Sequence, residues 1–229
     1  MNNLEVLYED NHVIVVLKPA NVLSQADDTG DIDMLNIVKE YVKVKYNKPG
    51  NVYIGLVHRL DRPVGGIMVF ARTSKAAARL SLEIKKHNVK KKYVAVVYGL
   101  VKEKDTLIDY LKKLDNGNTV VTDDKNAQES ELSYCLLDYN KRKNISLVEI
   151  NLKTGRHHQI RVQFASRNHP LVGDSRYGYD AKRTNELALF AYSLEFVHPI
   201  TKKVISFRRL PDSFSNGFKE FDMSSLIKG

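Results

Sequence analysis

Apolar and polar positions alternate between two periods along this chain, and the switches place its elements. His12-Val13-Ile14-Val15-Val16-Leu17 is a β-branched run stopped by Lys18-Pro19, which predicts a buried strand. Asp31 and Asp33 are positioned to cap a helix whose apolar residues Leu35, Val38, Val42 and Tyr46 recur at helical spacing. Residues 55–61 alternate, and Ile67-Met68-Val69-Phe70-Ala71 after Gly65-Gly66 predicts a second buried strand. Thr73-Ser74 opens a second helix with Ala77, Leu80 and Ile84 on one face, and Lys92 through Tyr98 reads as a strand. Residues 104–129 are polar and turn-rich, with Asp115-Asn116-Gly117-Asn118 as a hairpin turn. Alternating strands are expected at 131–138 and 145–152, then a helical segment after Thr154-Gly155 carrying Ile160, Phe164 and Ala165. The last twenty residues or so are weakly patterned and read as a peripheral tail, 211–229. Strands outnumber helices and are joined by short connections, which predicts an α+β fold on a mostly antiparallel sheet with flanking helices.

Composition narrows this little but usefully. At 229 residues and 43% hydrophobic content the chain fits a single domain, 1–229, with a buried core. No apolar run approaches the ~20 residues a membrane-spanning helix needs. The N-terminus lacks the features of a secretory signal, so a cytoplasmic protein with no membrane association is expected. Cys135 is the only cysteine, which excludes an internal disulfide and a thiolate metal cluster; its alternating surroundings make it a core residue rather than a nucleophile. A net charge of +9 favours an anionic partner, nucleic acid above all.

Candidate chemistry concentrates in two places. In His58-Arg59-Leu60-Asp61-Arg62-Pro63-Val64-Gly65-Gly66, Asp61 lies between two arginines that would hold it ionised and offer a landing site to a phosphodiester backbone. On its own, Asp61 reads better as a surface ion-pair residue in a turn. In Lys153-Thr154-Gly155-Arg156-His157-His158-Gln159-Ile160-Arg161, a helix would set His157 and Arg161 on one face and aim the arginine inward. Other signals lead nowhere. Adjacent His157 and His158 should point to different faces, without partners at zinc spacing, so no metal site is expected. Asp27-Asp28-Thr29-Gly30-Asp31 lacks the closing acid of a calcium loop. Gly65-Gly66 lacks the Lys-Ser/Thr of a phosphate loop, and no nucleophile elbow is present. Tyr93 follows the cationic Lys91-Lys92, as an aromatic that stacks on a base would, although a tyrosine in a strand is more often a core residue.

Taken in order, these segments resemble the RluA-type family of RNA pseudouridine synthases. The Asp61 run is similar to the family's His-Arg-Leu-Asp signature, and Thr154-Gly155-Arg156 through Gln159-Ile160-Arg161-Val162 to its second motif. Leu7-Tyr8-Glu9-Asp10-Asn11, Lys18-Pro19-Ala20, His169 through Asp174 with Tyr177-Gly178, and Leu194-Glu195-Phe196 with His198-Pro199 match further family motifs. The matched stretch runs from about 4 to 210. The resemblance implies the mixed, largely antiparallel catalytic fold of these enzymes and no cofactor or metal. It implies uridine-to-pseudouridine isomerisation in ribosomal or transfer RNA, with Asp61 as catalytic acid, Tyr93 stacking on the base, Arg161 pairing with the carboxylate and Arg59 filling the space of a flipped nucleotide. With Arg59, the residues Arg62, Lys92, His58 and Arg156 make up the expected substrate-binding set. RNA is the expected partner; no protein partner is required, and a monomer is the default.

Two departures bear on substrate preference: Val64-Gly65-Gly66 stands where the family usually has Thr-Ser-Gly, and His157 replaces a usual threonine. The chain starts almost at the first catalytic strand, so RNA recognition is expected from its own loops, residues 104–129 and 85–92 among them, or from a partner. Two rival classes compete. A non-catalytic RNA-binding protein would have lost the acid or its arginine, and both are present. A glycoside hydrolase needs two carboxylates, for which Glu149 and Asp174 are the only nominees beside Asp61.

Overall fold

The computed structural model describes residues 4–179, 187–212 and 217–226, and its chain divides into two compact units. The first comprises 1–89 and 193–209, the second 90–192 and 210–229. The fold is α+β. Among the described residues no helix is long and apolar enough to cross a membrane.

In the first unit, β1 (Val6–Glu9) pairs antiparallel with β2 (Val13–Lys18), and β2 with β4 (Gly65–Ala71), from Val13 opposite Ala71 to Lys18 opposite Gly66. Both runs are buried on both faces, which is why they read as unbroken apolar stretches instead of alternating ones. The short β3 (Gly55–Leu56) adds to β4. Helix α1 (Met34–Lys45) starts where Asp33 Oδ1 accepts the Asn36 N–H at 3.1 Å, and buries Met34, Val38 and Val42. Tyr46, expected on that face, is the exposed C-cap instead, because the helix ends there and Asn47 turns left-handed. Helix α2 (Ser74–Lys85) is capped by Thr73 and lays Ala76 and Leu80 onto Val13, Val15, Ile67 and Val69, with Leu194 and Phe196 closing that core.

In the second unit an antiparallel array runs in the order β5 (Lys90–Tyr98), β9 (Ile145–Leu152), β8 (Gln128–Asn140), β6 (Lys104–Lys113), β7 (Thr119–Val121). The polar stretch 104–129 is therefore largely strand, a correction to its reading as turns. Inward Leu107 and Leu111 are separated by an inward Asp109, held by Arg167 at 2.9 Å, while Ile108 and Tyr110 face solvent. Alternation is present there, with a paired acid at a core position. The expected turn over 115–118 does join β6 to β7, with Gly117 at φ 78°. Helix α3 (Gln159–Ala165) buries Ile160, Val162 and Phe164. Strand β10 (Leu189–Val197) begins in this unit and ends in the first, where it pairs with β11 (Val204–Arg208). Phe218 and Met223, from the weakly patterned C-terminal segment, pack into a second core with Val94, Val96, Leu147 and Tyr192.

Candidate active site

Asp61 sits on a turn that its neighbours hold from several directions. Ser24 Oγ donates to the Leu60 carbonyl at 2.7 Å and accepts the Leu60 N–H at 3.1 Å, so one buried hydroxyl closes both backbone groups of the residue before the acid. The Asp61 carbonyl accepts the Val64 N–H at 3.0 Å, which folds Arg62-Pro63 into the turn and leads into β4. Gly66, at φ 137°, follows in a region that suits glycine. His58 Nε2 accepts the Val69 N–H at 3.1 Å; that nitrogen is therefore unprotonated, and His58 ties the strand before Arg59 to β4.

Beneath this turn lies Lys18, which the sequence showed as a strand stop within a family motif without giving it a role. Lys18 is fully buried, and its Nζ donates to the carbonyls of Val22 at 2.6 Å, Pro19 at 3.0 Å and Arg62 at 3.0 Å. Burial pulls the ammonium down to about 7, with Arg62 adding to the fall and the Asp61 carboxylate opposing it. The Arg62 guanidinium is 2.7 Å from Asp31, both groups half exposed, so this arginine is engaged by an acid other than its neighbour. Arg59 is exposed and makes no hydrogen bond or ion pair among the described residues.

The second dense motif builds a site in the second unit. Thr154 Oγ1 donates to Gln159 Oε1 at 2.8 Å, Gln159 Nε2 to Gln163 Oε1 at 3.0 Å, and Gln163 Nε2 to Asp109 Oδ2 at 2.7 Å. This chain of side chains fixes α3 against β6. Arg161 is thereby buried, and its Nε and Nη2 donate to Asp174 at 2.7 and 2.8 Å, a bidentate fork. Burial alone would raise the Asp174 carboxyl, but the Arg161 guanidinium and the N–H groups of Arg176 and Tyr177 hold it below its usual range. The arginine was expected to point inward; the fork it makes with Asp174 was not foreseen.

The expectation for the two histidines needs correcting. Helix α3 starts at Gln159, so His157 precedes it and does not share a helical face with Arg161. His158 adopts a left-handed conformation, φ 52°, and this folds its ring back onto His157, the two stacked at 3.7 Å. Tyr177 Oη accepts the Thr119 N–H at 2.8 Å and lies 2.7 Å from His158 Nδ1, while His157 Nδ1 is 2.8 Å from Thr119 Oγ1. Burial, with Arg161 and His157 beside it, lowers His158 to about 3, so it is neutral near pH 7 and its Nδ1 is available to accept the Tyr177 O–H as a hydrogen bond. The Arg161 guanidinium stands 5.1 Å over the Tyr177 ring.

Strand β5 supplies the remaining candidates. Tyr93 is buried. Lys92 leaves the strand on the opposite face, with Val94 and Val96, and its Nζ lies 3.2 Å from Glu149 Oε2, whose other oxygen takes the Tyr192 hydroxyl. Arg156 is exposed and anchored through Nε to the Glu129 carbonyl at 3.0 Å. Asp61, Arg59, Arg62 and His58 thus belong to the first unit, and Tyr93, Lys92, Arg156 and Arg161 to the second. Among the described residues no cluster of three histidine, cysteine, aspartate or glutamate side chains could hold a metal ion. Burial and then Glu149 raise the Cys135 thiol, which favours the unreactive protonated form. Both carboxylates that could have served a two-acid hydrolase are committed: Asp174 to four donors, Glu149 to Lys92 and Tyr192. A general acid needs a raised carboxyl, and Asp174 is shifted the other way.

Comparison with known proteins agrees with the motifs. A family model described as RNA pseudouridylate synthase matches residues 12–166. The chain is 31% identical over 236 residues to ribosomal large subunit pseudouridine synthase D of Zymomonas mobilis, covering 97% of this chain and 74% of that one. It is 30% identical over 231 residues to tRNA pseudouridine synthase C of Haemophilus ducreyi, with 91% of each chain covered. Among solved structures, human RNA pseudouridylate synthase domain containing 4 superposes with a TM-score of 0.75 at 21% identity, covering 92% of this chain and 90% of that one, which shows the same fold.

Proposed function

The chain belongs to the RNA pseudouridylate synthase family, and from that premise we propose that it isomerises particular uridines in ribosomal or transfer RNA, using Asp61 as its one catalytic carboxylate on an extruded nucleotide. The names of its relatives support both RNA classes. The observation that carries the residue assignment is the construction of the Asp61 turn. A buried serine and a fully buried lysine hold its backbone on either side of an acid that is itself only half-buried. A fold spends such buried polar groups where a side chain must keep one direction.

The reaction breaks the bond from ribose C1′ to uracil N1, rotates the detached base and forms a bond from C1′ to C5. The C5 proton leaves and N1 regains one, so the product is an isomer and no co-reactant is consumed. A lone carboxylate can drive this by attacking the ribose, by attacking the base, or by taking a ribose proton. Each route needs it ionised, and we assign Arg161 as the arginine serving it, oriented by Asp174. Extruding the uridine costs a few kcal/mol. Tyr93 stacking on the base returns roughly 1–3 kcal/mol, phosphate contacts supply more, and Arg59 occupies the vacated place in the stack.

The test is to incubate the purified chain with ribosomal and transfer RNA from cells lacking it, and to map pseudouridine. The wild-type chain should modify discrete positions. Asp61→Asn should bind RNA and modify none; measurable pseudouridine from that variant overturns the assignment.

A further inference from the structure

Lys91 and Tyr93 are two residues apart on β5, so their side chains leave the strand on the same face, opposite to that of Lys92. Lys92 is neutralised by Glu149, whereas Lys91 makes no ion pair or hydrogen bond among the described residues. Burial alone pulls its ammonium below the usual lysine range, and no carboxylate opposes that pull. Its neighbour is the second motif: a Cβ added to Gly155 would stand 3.3 Å from Lys91 Nζ. Gly155 does not adopt the left-handed backbone that would itself demand glycine, so what it provides there is room around the ammonium.

A half-buried cation without a counter-charge costs stability, and such groups persist where a ligand supplies the missing charge. A uracil carbonyl brings no net charge; a phosphate brings a full negative one, which a lysine takes as a point charge. Resting on the RNA reading above, we propose that Lys91 binds a phosphate of the substrate strand beside the uridine that stacks on Tyr93, with Gly155 keeping the approach open. Lys91, not Lys92, is then the phosphate contact of this strand.

The test uses the full chain and a synthetic stem–loop RNA with uridines in its loop, titrated with salt. Lys91→Met keeps the aliphatic stem and removes the charge. It should weaken binding at every salt concentration and lower the slope of log affinity against log salt by about 1, with slower isomerisation. Lys91→Arg should restore the slope. The thermal midpoint of Lys91→Met should equal or exceed that of the wild type, a direction opposite to its binding defect and contrary to a structural role. An unchanged slope in Lys91→Met overturns the proposal, as does a loss in Lys91→Arg equal to that in Lys91→Met. Should wild-type isomerisation be absent as well, the RNA reading falls with it; an unchanged slope with isomerisation intact overturns this inference alone.

Discussion

The ammonium of Lys18 donates to the main-chain carbonyl of Arg62 at 3.0 Å, one residue beyond Asp61. It thereby ties the end of β2 to the turn that presents the acid. The same carbonyl accepts the Asn21 N–H at 2.8 Å, so the end of β2 and the turn that follows it converge on one acceptor. Lys18→Met would leave the buried carbonyls of Pro19, Val22 and Arg62 without this donor, a loss of roughly 2–4 kcal/mol of stability. Denaturant unfolding measures it. Turnover should fall by more than affinity, because the turn that loosens carries the acid.

Lys18 also sets a pH dependence. Its folded value, about 7, lies below the ordinary 10.5, so between those values the unfolded chain binds more protons than the folded one. Stability contributed by this group therefore rises with pH across that window, reversing the common expectation for an alkaline titration. Unfolding titrations from pH 7 to pH 10 should show the rise in the wild type and lack it in Lys18→Met. A wild-type stability that falls throughout the window, in parallel with Lys18→Met, would refute it.

Tyr93 is the candidate with a stacking role, and its contribution is separable from that of the acid. Tyr93→Ala should cripple turnover while RNA affinity changes little, since phosphate contacts dominate binding. Single-turnover rates and filter binding on one RNA distinguish the two. An unchanged rate removes Tyr93 from the site.

How much of this was legible depended on whether a feature is contiguous in sequence. The Asp61 run and the Thr154–Arg161 segment could be singled out because each packs its charged residues into one short stretch. Strands β2 and β4 were readable because burial on both faces demands unbroken β-branched and apolar runs. Strand β6 was not, since its inward Asp109 breaks the pattern and is satisfied by Arg167, far away in sequence. The stacking of His157 on His158 depends on one left-handed residue that no periodicity encodes. Lys18 looked like a strand stop because nothing local tells a lysine bonded to three buried carbonyls from one in water. Its signals are position, at the end of a fully apolar run, and membership of the Lys18-Pro19-Ala20 motif, and neither states what the ammonium does.

Asp174 should matter to stability as much as to activity. Asp174→Asn removes the charge facing the buried Arg161 fork and should cost about 3–5 kcal/mol. The folded carboxyl lies below its ordinary 3.8, so its stabilising contribution is complete above that value and is lost as pH falls through the folded one. The gap between wild type and Asp174→Asn, measured by unfolding, should therefore be full at pH 7 and shrink in strong acid.

Ser24 offers the sharpest test of positioning by the scaffold, because its two short hydrogen bonds go to the backbone next to the acid, with only a longer contact of 3.8 Å to Met68 Sδ besides. Its hydroxyl both donates to and accepts from Leu60, and Leu60 is itself buried. Ser24→Ala leaves a buried N–H and a buried carbonyl without that partner, which predicts a loss of about 1–3 kcal/mol. A purely structural role would leave the turnover of the folded fraction intact. Positioning predicts instead that kcat of the fully folded variant drops severalfold at unchanged RNA affinity, because the carboxylate direction blurs while the phosphate contacts stay. Ser24→Thr, which keeps the hydroxyl, should recover most of the rate if its extra methyl is accommodated. Equal kcat in Ser24→Ala and wild type, each assayed well below its thermal midpoint, would assign Ser24 to folding alone.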